Sequence, residues 1–185
     1  YVDGSGGNDD NGGLTAETAF ATIQKGIETA EEGSTVLVHP GLYHEEVVFE
    51  GKALIVQGVA TEAGVPIIEV PEDFGVSFYY GEGPESIIRN FVVRGCHTGL
   101  FIAGSSPTIT NLTVVDNVTG IGAYGNSEPD ISNCILWGNT EDNLLGCQAQ
   151  NSAVNIDPIF VDPAAGDYHL LSERGRYWPD HDVWV

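Results

Sequence analysis

The sequence predicts an all-β fold, a short solenoid of the parallel β-helix type that begins with a capping helix. The first observation is internal repetition, because Asn90, Asn111 and Asn133 occupy the same place in three related phrases. A fixed short period indicates a solenoid, since one repeat cannot bury its own apolar face and must stack on its neighbours. The second observation is composition, because each phrase is rich in Ile, Val, Leu and Thr and is broken by Gly, Asn and Ser. Each repeat is therefore predicted to be one coil of short strands.

The aligned phrases predict the cross-section of a coil. They are IIRNFVVRGCHTGL from Ile87, TITNLTVVDNVTGI from Thr108 and DISNCILWGNTEDN from Asp130. Successive side chains of a strand point to opposite faces, so alternate positions share a row. The predicted interior rows are Phe91, Leu112 and Cys134, followed by Val93, Val114 and Leu136. The predicted outward row is Arg94, Val115 and Trp137.

Two rows of asparagine mark the bends of the coil. We expect the asparagine shared by the three phrases to form an internal ladder at one corner, because stacked amides can hydrogen-bond along the axis. A second row, Asn117 and Asn139, has Cys96 in the preceding coil. The repeat period accounts for all of these asparagines, so we assign them structural rather than catalytic roles.

Three zones follow one another along the chain. Residues 1–33 hold a Gly/Asn/Asp loop and a capping helix, in which Phe20, Ile23 and Ile27 recur at helical spacing. Residues 34–150 carry the strands of the β-helix coils. Residues 151–185 add short strands in IDPIFVD and DYHLL, then the aromatic segment RYWPDHDVWV. Because solenoid ends expose unpaired strand edges, we expect the helix to cap one end and the aromatic segment to help cap the other.

The charge of the chain excludes two classes of partner. Asp and Glu number 27 against 6 Lys and Arg, which gives a formal net charge of −21. Nucleic acids and anionic membranes are bound through Lys and Arg, so neither is expected as a partner. The sequence also lacks an apolar run near the ~20 residues that cross a bilayer. Three cysteines, Cys96, Cys134 and Cys147, are an odd number at spacings that match no metal motif, and we expect buried free thiols.

The loop near the N-terminus is the candidate metal site. Asp3, Asp9, Asp10 and Asn11 lie close together in a Gly-rich segment without a basic neighbour. Calcium takes about 6 to 8 oxygen ligands, which such short side chains can supply. The spacing is not that of an EF-hand, and Gly/Asn/Asp clusters also form ordinary turns. We therefore predict a calcium site here, with turn formation as the alternative.

Several segments resemble a known family. The opening YVDGSGGNDDNGG and the following FATIQKGIETAEEGSTVLVHPGLYHEEVVF resemble the N-terminal cap and first coil of secreted bacterial right-handed parallel β-helix proteins related to the pectate-lyase superfamily. SSPTITN and IDPIFVDPAAGDYHLL resemble their later coils and tail. The resemblance implies a right-handed parallel β-helix and a secreted or cell-surface protein. It does not define an activity, because this architecture carries lyases, hydrolases, epimerases, glycan-binding modules and adhesins.

Catalysis is the less favoured class of function. The resemblance to polysaccharide lyases implies proton abstraction beside a uronate carboxylate, which requires a Lys or Arg base and usually calcium held by outward carboxylates. Arg89 and Arg94 are the basic residues of the repeat region, and Val115 and Trp137 rather than acids follow Arg94 in its row. Glycoside hydrolysis needs two carboxyl groups ~5 to 9.5 Å apart, and the repeats align no such pair.

Binding is the favoured class. Arg94, Val115 and Trp137 form the predicted outward strip, and Phe101 and Tyr124 are expected to face outward on the next strand. Aromatic rings pack on the C–H faces of sugars, and an exposed apolar strip indicates an interaction surface unless a loop or the C-terminal tail covers it. The sequence therefore favours a non-enzymatic carbohydrate-binding or adhesive module with a polysaccharide or cell-surface glycan as partner. The alternatives are a polysaccharide lyase or related uronate-active enzyme, and a structural protein that self-associates through its solenoid ends.

Overall fold

The computed structural model describes residues 1–62 and 64–170, together with the backbone of 177–178 and 183–184. The chain folds as a parallel β-solenoid of about five turns with a helix at its start, which confirms the predicted fold class. A 3₁₀ turn, Ala16–Thr18, precedes helix α1, Ile23–Thr29. Helix α1 is shorter than the apolar spacing predicted, because Phe20 lies before the N-cap Thr22 and bridges to Val2 instead.

Fifteen short strands form the coils. They are β1 (Thr35–Val38), β2 (Leu42–Tyr43), β3 (Val47–Val48), β4 (Ile55–Gly58), β5 (Ile67–Glu69), β6 (Phe74–Phe78), β7 (Ile87–Arg94), β8 (Thr98–Ala103), β9 (Thr108–Val115), β10 (Thr119–Tyr124), β11 (Asp130–Ser132), β12 (Ile135–Trp137), β13 (Asp142–Leu145), β14 (Ala149–Gln150) and β15 (Ala153–Val154). Every pair among them is parallel, as expected when each coil stacks on the preceding one.

The strands form two sheets that enclose one core. Sheet A has ten strands: one half runs β1-β4-β7-β9-β11-β14, and the other half contains β2, β5, β12 and β15 beside the second parts of β7 and β9. Sheet B has five strands in the order β3-β6-β8-β10-β13. Each of five coils thus contributes a bent strand, or two short strands, to sheet A and one strand to sheet B, and β14 and β15 add a sixth layer to sheet A.

The predicted register of the interior is confirmed. Phe91 pairs with Leu112 and Val93 with Val114, and Leu136 lies beside Val114 in the next coil. All the predicted interior residues, including Cys134, are at most 1% exposed. Apolar side chains therefore stack from coil to coil, and each coil buries the face that its neighbour exposes.

The first asparagine row lies at the bend of sheet A, as predicted, but on the outside. Asn90, Asn111 and Asn133 have φ angles of 61°, 55° and 54°, which is the left-handed region that asparagine tolerates better than most residues. Asn111 and Asn133 are exposed, so the predicted internal ladder is wrong for this row. Asn151, with φ of 49°, continues the row into the next coil, since Ser132 pairs with Gln150. The backbone turn, rather than amide stacking, selects asparagine here.

The second asparagine row forms the internal ladder. Asn117 Oδ1 accepts from the backbone N–H of Cys96 at 2.9 Å, and Asn117 Nδ2 donates to Val93 O at 3.2 Å. Asn139 repeats the arrangement one coil later, accepting from Asn117 N at 3.0 Å and donating to Val114 O at 3.0 Å. The two asparagines are almost fully buried. Their amides satisfy backbone groups at a corner where the strands of the two sheets diverge.

The N-terminal end of the solenoid is closed by two devices. Val2 pairs with the edge of β1, donating to Leu37 O at 2.8 Å and accepting from His39 N at 2.9 Å. The side-chain amide of Gln24 in α1 pairs with the edge of β3. It donates to Val48 O at 3.2 Å and accepts from Val48 N at 3.0 Å. The helix can approach this closely because Gly26 has no side chain: a Cβ there would lie 2.8 Å from Val36. The predicted helical cap is confirmed.

The tail of the chain folds back along the solenoid. Strands β16 (Phe160–Asp162) and β17 (Asp167–Leu170) form an antiparallel hairpin around the 3₁₀ turn Pro163–Ala165, which confirms the two predicted strands. Strands β18 (Tyr177–Trp178) and β19 (Val183–Trp184) pair antiparallel. The predicted cap of the far end falls in residues 171–185, whose side chains lie outside the described residues. Within the described part of the chain, no helix is both long and apolar enough to span a membrane.

Candidate glycan-binding face

The structure places the predicted strip of Arg94, Val115 and Trp137 beside the C-terminal tail. The three residues share one row on the outer face of sheet A, since Arg94 pairs with Val115 and Val115 with Trp137. Val115 is only 1% exposed, and Trp137 is partly buried. Val115 thus offers almost no contact area to a ligand. The role of the strip in ligand binding stays a prediction.

Arg94 connects the tail hairpin to the solenoid. Its Nε donates to Glu69 Oε2 at 2.8 Å, and its Nη1 donates to Tyr168 OH at 2.9 Å and to Pro163 O at 3.4 Å. Partial burial acts to lower the pKa of Arg94, but the hydrogen bonds with Tyr168 and Glu69 outweigh it, so the pKa is raised. The guanidinium therefore stays charged and anchors the hairpin. Tail residues therefore cover the Arg94 end of the predicted strip. Coverage by the C-terminal tail was the alternative to an exposed interaction surface in the sequence analysis.

A cleft of about 290 Å³ lies between the hairpin and sheet A. Val92 and Thr113 contribute sheet residues to it, and Asp167 and His169 contribute from β17. His169 Nδ1 lies 2.6 Å from Asp167 Oδ1. Hydrogen bonds from the backbone and side chain of His169 lower the pKa of the Asp167 carboxyl. Both side chains of this pair are well exposed, so the pair is a surface contact at the mouth of the cleft.

The outer face of sheet B brings Phe101 and Tyr124 together, as predicted, and adds Phe74. The ring centroids of Phe74 and Phe101 are 4.5 Å apart, with an angle of 8° between the planes. Those of Phe101 and Tyr124 are 5.3 Å apart, with an angle of 33°. The three residues come from β6, β8 and β10, which are neighbours in sheet B. We call these three residues the aromatic strip, which runs along the solenoid axis over three successive coils.

The backbone of sheet B explains how the strip is formed. Gly122 pairs with Phe101 in the next coil, so a side chain at 122 would continue the row of Phe101. The ring of Tyr124 takes this space, because a Cβ on Gly122 would lie 2.9 Å from the Tyr124 hydroxyl oxygen. Tyr124 therefore lies beside Phe101 although it is two residues further along its strand. Tyr124 remains 41% exposed, which leaves ring surface available to a ligand.

Polar and aromatic side chains border the strip on the preceding coils. Ser77, in register with Phe101, is fully buried and donates its hydroxyl to Glu46 Oε1 at 2.5 Å. The rings of Tyr79 and Tyr80 lie 4.6 Å apart at 41°, and Tyr80 is 62% exposed. Partial desolvation, followed by the charge of Glu46, raises the pKa of Tyr79. Hydroxyl and carboxylate groups thus lie at the edge of an aromatic surface, which is a combination suited to sugars.

Sequence reasoning missed Phe74, Tyr79 and Tyr80. The segment VSFYYG is recognisable as a strand, but it lies outside the three aligned phrases, so the repeat gives no outward row for it. A usable signal was the aligned glycine: Gly75, Gly99 and Gly120 occupy equivalent places in β6, β8 and β10. Aligning DFGVSF with HTGLFI and VTGIGA on that glycine identifies β6 as the equivalent strand of the earlier coil, with Phe74 in the place of Thr98 and Ser77 in the place of Phe101.

Side chains of the predicted calcium loop form hydrogen bonds within the loop and with the start of α1. Asp9 Oδ1 accepts from Ala21 N at 2.8 Å and Thr22 N at 3.0 Å, so its carboxylate holds the start of α1. Asp3 Oδ1 accepts from Ser5 N and Gly6 N in an Asx turn. Asn11 donates to Ala19 O, and Asp10 is exposed. Among residues 1–62 and 64–170, no group of three or more His, Cys, Asp and Glu side chains could hold a metal ion. Binding of calcium by this loop stays a prediction.

A partly buried carboxylate also contacts α1. Glu45 accepts from Ile23 N at 2.7 Å and from Gln24 N at 3.0 Å. Burial raises the pKa of Glu45, against the lowering effect of these two amides, and the negative charge of Asp9 adds to the rise. Two carboxylates therefore meet at the helix start, where backbone N–H groups provide their hydrogen bonds.

The cysteines are free thiols in apolar surroundings. Cys96 and Cys134 are buried, and Cys147 is partly buried. Burial raises the pKa of each of the three thiols to about 11. Thiols of this kind are poor nucleophiles near neutral pH, so they fit the predicted packing role.

Comparison with known protein families, with curated proteins and with solved structures found no match for this chain. The likeness that the structure supports is therefore that of architecture, a parallel β-solenoid. A function has to be argued from the residues of the face itself.

Proposed function

We propose that the protein is a secreted or cell-surface carbohydrate-binding module of the pectate-lyase-like β-helix type, and that it binds a polysaccharide on the outer face of sheet B. The observation that supports this proposal is the alignment of Phe74, Phe101 and Tyr124 over three coils. Aromatic side chains on a rigid sheet bind with little loss of conformational freedom, because their positions are fixed before the ligand arrives.

The exposed rings determine how a glycan would lie. Phe74 covers a face of Phe101, so these two rings act mainly as a support. Tyr124, at 41% exposed, offers ring surface for the C–H groups of a sugar, and its hydroxyl can exchange hydrogen bonds with sugar hydroxyls. A polymer on this face would contact the strip and, at the end of β6, the Tyr79–Tyr80 pair. We expect weak binding of an extended chain rather than enclosure of a single sugar.

Substitution of Tyr124 tests the proposal. Because exposed aromatic anchors dominate small interfaces, Tyr124→Ala is expected to weaken binding of a neutral polysaccharide about tenfold, which corresponds to ~1.4 kcal/mol. Affinity electrophoresis in gels that contain a panel of soluble neutral polysaccharides measures this effect, and circular dichroism checks that the variant is folded. Trp137→Ala is the matched control, because it removes an aromatic ring from the outer face of sheet A.

The outcomes separate the two candidate strips. Loss of binding in Tyr124→Ala with normal binding in Trp137→Ala supports the face of sheet B. The reverse pattern would move the site to the strip of Arg94, Val115 and Trp137 and would contradict our proposal. Lack of retardation by every polysaccharide of the panel would also contradict it.

The enzyme alternative is tested with the same polysaccharides. The cleft under the hairpin, with Asp167, His169 and the nearby Arg94, is where a reacting sugar would bind. Incubation of purified protein with the panel should yield neither unsaturated nor shortened products if the protein is a binding module. Product release that Arg94→Ala abolishes would establish the enzyme and replace our proposal.

A further inference from the structure

The outer face of sheet B has carboxylates at its border and no Lys or Arg in its strands. Neither its strands β3, β6, β8, β10 and β13 nor the flanking residues 44–46, 72–73, 79–80, 97, 118 and 141 include Lys or Arg. Carboxylates lie at both ends and at one side. Glu46, in the first coil, accepts a hydrogen bond from Ser77 in the row of Phe101. Asp142, in the fifth coil, is exposed and pairs with Thr119 in register. Asp73 is exposed next to Phe74.

Three of the four Lys and Arg side chains in residues 1–62 and 64–170 form hydrogen bonds away from the face of sheet B. Lys52 Nζ donates to the carbonyl oxygens at the end of α1, those of Ile27 and Glu28 at 2.8 and 2.7 Å. Arg89 donates to Gln57 Oε1 on sheet A, and Arg94 binds Glu69 and Tyr168. These contacts fix three cationic groups away from sheet B. Among the described residues, the carboxylates of Glu46, Asp73 and Asp142 form no salt bridge.

We propose that the aromatic strip binds a cationic amino-glycan, a polymer of amino sugars with free ammonium groups, in preference to neutral or acidic glycans. This inference rests on the proposed function, because it names the ligand class of the same face. Sugar C–H faces would pack on Tyr124, while ammonium groups would contact Glu46 and Asp142 and the exposed tyrosine rings. An ammonium group is attracted by carboxylates and by the faces of aromatic rings.

Electrostatics of the whole chain act in the same direction. A formal net charge of −21 attracts a polycation over a distance of about one Debye length, ~10 Å at 0.1 M salt, and repels polyuronates. General attraction alone would not depend on a particular face, however. The specific claim is that the carboxylates beside the aromatic strip contribute more than carboxylates elsewhere on the solenoid.

A matched pair of ligands tests the claim. Glucosamine oligomers with free amino groups and the same oligomers after N-acetylation differ in charge but keep the same backbone. At pH 6 and 50 mM salt, calorimetry on the whole chain should give a dissociation constant about tenfold lower for the amino form. The ratio should fall towards one at 0.5 M salt, because screening weakens the ionic contacts.

Variants locate the effect. Glu46→Gln is expected to reduce the tenfold ratio to about threefold, and Tyr124→Ala should weaken binding of both oligomers. Asp130→Asn is the matched control, since Asp130 is an exposed carboxylate on the face of sheet A, and its ratio should equal that of the unchanged protein.

The possible results are distinguishable from one another. Equal affinity for the two oligomers, or tighter binding of oligouronates, would overturn the amino-glycan inference and leave the proposed function intact. Absence of binding by every neutral and amino oligomer would contradict the proposed function itself. Binding of the amino form that responds equally to Asp130→Asn and Glu46→Gln, and not to Tyr124→Ala, would show general attraction to an acidic chain and would overturn the inference.

Discussion

Asparagine has two different roles in this solenoid, according to its place at a corner. Asn111 is exposed and has a φ angle of 55°, so its value lies in the backbone conformation that it allows. Asn117 is 1% exposed, and its amide accepts from Cys96 N and donates to Val93 O. Asn117 also donates to Asn139, which continues the ladder. Asparagine therefore allows a left-handed backbone conformation at one corner and provides buried side-chain hydrogen bonds at the other.

Paired substitutions of these two asparagines separate the roles. Asn117→Ala should lower the free energy of unfolding by about 3 kcal/mol, because it leaves buried backbone groups without partners at ~1 to 3 kcal/mol each. Asn111→Gly should change stability by less than ~1 kcal/mol, since glycine adopts positive φ without strain. Urea unfolding followed by circular dichroism measures both. Equal effects of the two substitutions would contradict the division of roles.

Among the secondary-structure elements, helix α1 covers the edge of the first strand of sheet B. Its first turn receives the carboxylates of Asp9 and Glu45, and its C-terminal carbonyl groups receive Lys52 Nζ. Between these ends, Gln24 pairs with Val48 as a further strand would. Only seven residues long, the helix derives its stability from these tertiary contacts rather than from helix propensity. The outermost strand of sheet B consequently has no free edge at this residue.

Removal of the Gln24 amide should expose that edge. Gln24→Ala is expected to cost about 1 to 3 kcal/mol of unfolding free energy, from two lost hydrogen bonds, and to increase association at high protein concentration. Urea unfolding and static light scattering measure the two effects. Gln148→Ala, which changes an exposed glutamine in the last part of the solenoid, serves as the control. A Gln24→Ala variant as stable and as monodisperse as this control would contradict the closing role.

At the scale of the whole molecule, the coils carry one continuous core and two unlike outer surfaces. The tail hairpin lies on sheet A, held by Arg94, whereas the aromatic strip on sheet B remains partly exposed. The core also contains the thiols of Cys96 and Cys134, with Cys147 packed against it. Unfolding of the solenoid exposes all three thiols together, so the free energy of unfolding depends on pH in the alkaline range.

The direction of this linkage follows from the raised pKa values. In the native state the pKa of each thiol is about 11, against an ordinary value of 9.0. Below pH 9 both states keep their protons, and the thiols do not make stability depend on pH. Between pH 9 and pH 11 the unfolded chain loses protons first, so the free energy of unfolding should fall. Urea unfolding at pH 8 and pH 10.5 should show a decline that is smaller in Cys134→Ala, and identical declines would contradict this linkage.

The parts of this protein that repeat could be predicted from its sequence. A period of 21 to 22 residues and strict alternation of apolar side chains predicted the parallel coils, the interior row of Leu112 and Val114, and the need for a helical cap. These features could be predicted because each depends on contacts between equivalent positions in adjacent coils, which the aligned phrases display directly.

Which outer surface is covered could not be predicted from the repeat, because it depends on how the tail packs against the solenoid. Val115 and Phe101 both face outward, yet the tail lies on sheet A and leaves Tyr124 on sheet B partly exposed. The hairpin is held there by hydrogen bonds from Arg94 to Tyr168 and Pro163, and Tyr168 is 74 residues from Arg94 in a segment outside the repeat. The sequence also did not show whether an asparagine row faces the core or the solvent, because this depends on a backbone torsion at the corner. A repeat reveals which residues are equivalent, whereas contacts outside the repeat determine what remains accessible.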